Sequence, residues 1–115
     1  MHNFRNLKIW QKSRYLVKEV FLLTRDFPAE EKFGLISQTL RSAYSIPSNI
    51  AEGSRRSSNK EFYRSLDIAL GSAFELETQL ILASDVNYIS ENDLEKIQKL
   101  LQEVQKMIYS FKTNL

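Results

Sequence analysis

The chain has 115 residues, 43% hydrophobic and 26% charged, the usage of a single globular domain large enough to bury a core. Its formal net charge is +2 and it holds no cysteine, which excludes disulfides, thiolate zinc sites and thiol nucleophiles. No apolar run reaches the roughly 18 residues of a membrane span and no apolar leader opens the chain, so a soluble, cytoplasmic protein is expected.

The only glycines are Gly34, Gly53 and Gly71 and the only prolines Pro28 and Pro47, with no sustained apolar-polar alternation, so an all-α chain is predicted. Ile9, Ser13, Leu16, Val20, Leu23 and Phe27 follow 4-3 spacing and predict a first helix over about residues 7–26. Pro28 closes that helix or opens the next. A second helix is predicted from about Ala29 to Glu52, with Ile36, Leu40, Ala43 and Ile50 on its apolar side and Gly53 as its stop. The third carries Phe62, Leu66, Ala69, Ala73, Leu76, Leu80 and Ala83, opens on a capping box at Ser58 and Glu61, and ends at Asn87. The fourth opens at Ser90, with Asp93 toward the positive end of the helix dipole, and carries Leu94, Ile97, Leu101, Val104, Ile108 and Phe111. Short connections between four amphipathic helices predict one domain, residues 1–115, folded as an antiparallel up-down-up-down four-helix bundle.

Pro47 lies inside the second helix, where it removes a backbone bond and is expected to kink the rod. Around it sit Ser45, Ser48, Asn49, Glu52 and Gly53, a polar set that forms either a satisfied structural kink or a polar pocket at the end of the bundle. The kink leaves the Ala43 carbonyl without its usual donor, a vacancy that a serine hydroxyl or water can fill. Small residues on helix three, Ala69, Gly71, Ser72, Ala73 and Ala83, allow close approach of a neighbouring helix in the same chain or in another.

Charge is unevenly placed. Residues 1–26 carry six Lys or Arg against two acids, residues 54–66 come to +3, and residues 67–115 come to −4. Arg55, Arg56, Lys60 and Arg64 follow the polar segment, and the start of helix three beside guanidinium groups is chemically competent for phosphate. Lys8 and Lys12 on helix one, with Arg5, Lys18, Trp10 and Tyr15, extend a candidate basic and aromatic surface for RNA or DNA. Plain solvation of these charges is the competing reading. Trp10, Tyr15 and Tyr63 are equally candidate anchors of a protein interface.

The catalytic inventory is thin. The one histidine, His2, stands at an end expected to fray, no glycine-rich phosphate loop appears, and Glu75 and Glu77 fall on different faces of one helix. Neither an enzyme nor a metal or cofactor site is expected.

The run Ser45-Ile-Pro-Ser-Asn-Ile-Ala-Glu-Gly53, then Arg56, Glu61-Phe62, Leu66, Ala69, Gly71-Ser72 and Glu75-Leu-Glu-Thr-Gln-Leu80, resembles the four-helix-bundle proteins encoded in 23S rRNA intervening sequences. Phe4-Arg-Asn-Leu-Lys-Ile-Trp10 is similar to the opening of that family, and Asn87-Tyr-Ile89 departs from its Gly-Tyr-Ile. The resemblance implies a homopentamer, and kinship with the basic accessory protein of diversity-generating retroelements, which works with a reverse transcriptase and nucleic acid. The family's label as S23 ribosomal protein reflects gene location. Two functions follow: an oligomer that binds structured RNA, or a scaffold that holds a partner enzyme.

Overall fold

A computed structural model describes residues 2–115. Four α-helices make up the fold: α1 (Lys8–Thr24), α2 (Leu35–Ser54), α3 (Asn59–Asp85) and α4 (Glu91–Thr113). Two short 3-10 turns, Phe4–Asn6 and Ala29–Glu31, precede α1 and α2, and the described residues form no strand. The helices form an elongated four-helix bundle, 43 × 25 × 19 Å. Contacts between α1 and α2, α2 and α3, α3 and α4, and α4 and α1 close the ring around a single core.

The core is built from the 4-3 stripes. Ile9, Leu16 and Val20 from α1 meet Ala43, Ile46 and Ile50 from α2, while Leu66, Leu76 and Leu80 from α3 meet Ile97, Leu101 and Ile108 from α4. Each fully buried Leu or Ile contributes about 1.5–3 kcal/mol, which lets helices of modest intrinsic stability persist. Ser58 caps α3 by accepting from the Glu61 amide at 3.2 Å, and Ser90 caps α4 by accepting from the Asp93 amide at 3.0 Å. Asn87 adopts φ 66°, the left-handed conformation suited to the end of α3.

Three local expectations need correction. The second helix starts at Leu35, not Ala29, because Gly34 takes φ −107° and ψ −112°, outside the helical region. The Glu31 carboxylate then caps α2 from outside it, with Oε1 accepting from the Leu35 amide at 3.2 Å and Oε2 from the Tyr88 hydroxyl at 2.8 Å. Gly53 is not a stop: α2 continues to Ser54 and no glycine has positive φ. Its lack of a side chain serves packing, since a Cβ at 53 would lie 2.6 Å from Ser65 Cβ and 2.9 Å from Phe62 Cδ1 on α3. His2 is not frayed. Its amide donates to the Ser54 carbonyl at 2.9 Å and its ring lies 5.3 Å from Phe62 and 6.1 Å from Phe111.

Candidate nucleic-acid interface

α2 runs from Leu35 to Ser54 with Pro47 inside it, and the polar residues around Pro47 divide between its two flanks. Toward α3, the Ser45 and Ser72 hydroxyls share a 2.7 Å hydrogen bond. Asn49 Nδ2 donates to the Ser45 carbonyl at 2.8 Å and to Ser45 Oγ at 3.0 Å. The Ser45 hydroxyl is thus committed to α3 and not to the Ala43 carbonyl. Glu52 follows on the same flank and pairs with Arg56 one turn later. Asn49, Glu52, Arg56, Glu61, Arg64 and Ser65 line a shallow polar cavity of about 210 Å³ between α2 and α3. On the opposite flank, Pro47, Ser48 and Ala51 meet Trp10, Arg14 and Val17 of α1 around a cleft of about 330 Å³.

The candidate cations do not share one face. Lys12 bridges to Glu103 of α4 at 3.2 Å, and Arg56 is held by Glu52. Lys8 lies at the α1–α4 seam beside Lys106. Lys60 and Arg64, four apart, stand on the outward side of α3, with Arg64 also reaching the α2–α3 cavity. Arg55 is exposed just beyond α2.

A different set converges between α1 and α2. Arg14 stacks over Trp10 with its guanidinium carbon 5.5 Å from the ring centroid, and Phe4 meets the same indole edge-on at 5.0 Å. One turn and more along, Phe21 and Tyr44 bring α1 and α2 together with ring centroids 6.2 Å apart. Arg41, Tyr44, Ser48 and Arg55 follow 3-4-7 spacing down the outer side of α2. Arg14, Lys18 and Arg25 are exposed along α1. None of these five cations has an acidic partner within 4.0 Å among the described residues. Glu19 and Glu52, on the same two helices, turn away to the clefts facing α4 and α3. Arg14 and Arg41 are 27 positions apart on two helices that come together only in the fold, and no local spacing links them.

Of the candidate anchors, Trp10 is half-buried in this face, whereas Tyr15 is exposed toward α4 with its phenol pKa raised by hydrogen bonding to Glu19. Tyr63 belongs to a clasp between α3 and α4. The Lys112 side chain, 8% exposed, donates to Tyr63 Oη at 3.1 Å, pairs with Asp67 at 3.1 Å and lies over the Tyr63 and Tyr109 rings at 4.5 and 5.1 Å. These contacts raise the lysine pKa, the Tyr63 hydrogen bond most of all. A second clasp centres on Glu77, which accepts from Gln98, Gln102 and Gln105 of α4 at 3.4, 3.2 and 2.9 Å.

Among the described residues no three His, Cys, Asp or Glu side chains converge, and no helix is long and apolar enough to cross a membrane.

The chain is similar to a solved structure from Bacteroides thetaiotaomicron, a protein of unknown function from the S23 ribosomal protein family. The two share 31% identity with a TM-score of 0.84, over 90% of this chain and 97% of that one. Among curated proteins nothing matches significantly. Residues 5–110 match the family model described as 23S rRNA-intervening sequence protein. With that match spanning almost the whole bundle, the chain belongs to the family of 23S rRNA-intervening sequence proteins.

Proposed function

We propose that the protein is a non-catalytic, oligomeric RNA-binding protein of the cytoplasm that grips phosphates through the face shared by α1 and α2. The observation that carries this reading is the row of five cations without acidic partners, Arg14, Lys18, Arg25, Arg41 and Arg55, beside Trp10 and Tyr44. Guanidinium groups match phosphate in shape and charge, and exposed aromatic rings offer unpaired bases a stacking surface. A net charge of +2 makes one copy a weak binder, so assembly into a ring, five copies by resemblance, supplies the avidity.

The test is titration of a structured RNA at about 50 mM salt and at several times that concentration. Affinity is expected to fall steeply with salt as counterions are released. The double variant Arg14→Ala, Arg41→Ala is expected to lose about tenfold or more in affinity and to flatten the salt slope by about 2. Absence of binding at low salt, or binding indifferent to salt, overturns the proposal. A partner protein retained from native lysate after nuclease treatment favours the scaffold instead.

A further inference from the structure

The cleft between α1 and α2 has more structure than contact with phosphate requires. Trp10, Arg14 and Val17 form its α1 wall and Pro47, Ser48 and Ala51 its α2 wall, around about 330 Å³. That volume lies at the lower end of the roughly 300–1,000 Å³ of small-ligand clefts. The walls are mostly apolar, with two polar groups at hand. Among the described residues the Ser48 hydroxyl makes no side-chain hydrogen bond and Arg14 makes no ion pair. Pro47 stands in the α2 wall. A proline inside a helix removes a backbone bond, and chains break such local rules chiefly at sites they use.

The contents of the cleft suit a flat, aromatic, partly polar guest. Trp10 offers an indole whose neighbour Arg14 is an exposed side chain, its guanidinium carbon 5.5 Å from the ring centroid and no acid holding it there. Indole rings and guanidinium planes are the two surfaces on which proteins stack unpaired bases, and a hydroxyl can bond a base edge as donor or acceptor. The surrounding charge suits what a base carries with it. Arg41 and Arg55 stand seven residues to either side of Ser48 on the same side of α2, about 10 Å each way. Phosphates flanking a base in the cleft would therefore meet a cation in both directions. A base inside a duplex is stacked and paired, so only an unpaired one is free to enter.

We propose that the cleft takes one unpaired nucleobase from a loop, bulge or strand end of an RNA. The base lies on the Trp10 indole with Arg14 moved outward over its other face, Ser48 Oγ at its polar edge and the flanking phosphates on Arg41 and Arg55. The inference rests on the RNA reading above and narrows its ligand from structured RNA in general to RNA with a single-stranded element.

Trp10 is the only tryptophan, so its fluorescence reports on the cleft directly. Three probes are titrated at matched salt: a hairpin with an unpaired loop, the same hairpin with abasic loop residues, and a blunt duplex with the same number of phosphates. The intact hairpin is expected to quench Trp10 emission and to bind about tenfold more tightly than either of the others, the scale of stacking one base on an aromatic side chain. Ser48→Leu adds bulk at the cleft without removing a charge. Position 48 is exposed and leucine is the better helix former, so the variant is expected to fold, as circular dichroism will establish. It is expected to bind the intact hairpin only as well as the abasic one, with the salt slope retained. Equal affinity for the three RNAs, or a loop preference that Ser48→Leu leaves intact, overturns the base site while leaving phosphate binding standing. Absence of binding by all three at about 50 mM salt removes the RNA reading itself, and the base site with it.

Discussion

Gly53 and Gly71 are chemically identical and are used in opposite ways. At Gly53 the backbones of α2 and α3 approach so closely that an added Cβ would strike Ser65 and Phe62. Gly53→Ala is therefore expected to destabilise the fold by about 1–3 kcal/mol, even though alanine is the better helix former by about 1 kcal/mol. Gly71→Ala, whose Cβ would meet nothing within 4 Å, is expected to stabilise by about 0.5–1 kcal/mol, and urea unfolding of both variants reads the contrast. Lys112 provides the second prediction at this scale. Its pKa is raised above the ordinary 10.5, so the folded state holds that proton more tightly than the unfolded chain does. Its stabilisation is thus complete below the usual lysine range and is lost as pH rises through the folded value. Tyr15 and Tyr88, raised above 10.0 by hydrogen bonds to Glu19 and Glu31, act in the same direction. The urea midpoint is expected to stay level to about pH 9 and fall beyond about pH 10, and Lys112→Met is expected to shallow that fall.

At the scale of the helix, Pro47 poses the clearest question. α2 continues through it, so the residue is tolerated where proline costs about 3 kcal/mol in an ordinary helix interior. We expect Pro47 to bend α2 toward the Ser45–Ser72 contact. Pro47→Ala is expected to keep all four helices, reduce the bend and stabilise the fold by about 1–2 kcal/mol, as judged by crystal structures and urea unfolding of both proteins. An unchanged bend assigns the shape of α2 to its packing on α3. The other helices were legible in the sequence because local signals agreed: 4-3 stripes for α1, α3 and α4, serine caps for α3 and α4, and an asparagine able to take positive φ after α3. The start of α2 was not legible, since its cap comes from Glu31, a residue outside the helix that is also held by Tyr88, 57 positions away. Gly53 misled for a related reason: a close approach between helices leaves no local mark that separates it from a helix stop. The candidate interface was half legible. The Trp10 region could be seen from spacing, but its companion Arg14, which stacks on the indole, could not, and Lys12 and Arg56 are neutralised by Glu103 and Glu52, partners that no spacing of cations reveals.

Taken whole, the molecule assigns its sides to separate tasks. α1 and α2 present unpaired cations and aromatic rings, while the outside of α3 and the α1–α4 seam present apolar surface. If assembly aligns the phosphate-binding faces, affinity for RNA depends on residues that never touch RNA. Phe74→Arg separates this from simple electrostatics, because the two effects have opposite signs. The substitution adds a positive charge to a chain whose net charge is +2 and by charge alone strengthens attraction to phosphate. If the exposed Phe74 side of α3 carries the contact between copies, the substitution also removes avidity, a loss of about 10²-fold or more for linked sites. We expect the loss to dominate: Phe74→Arg binds a long structured RNA at least about tenfold more weakly than wild type, with a smaller salt slope, yet binds a short RNA that spans only one copy with equal or higher affinity. Titration of the two RNAs against both proteins at matched salt gives the answer, and tighter binding of the long RNA by the variant shows that each copy acts alone.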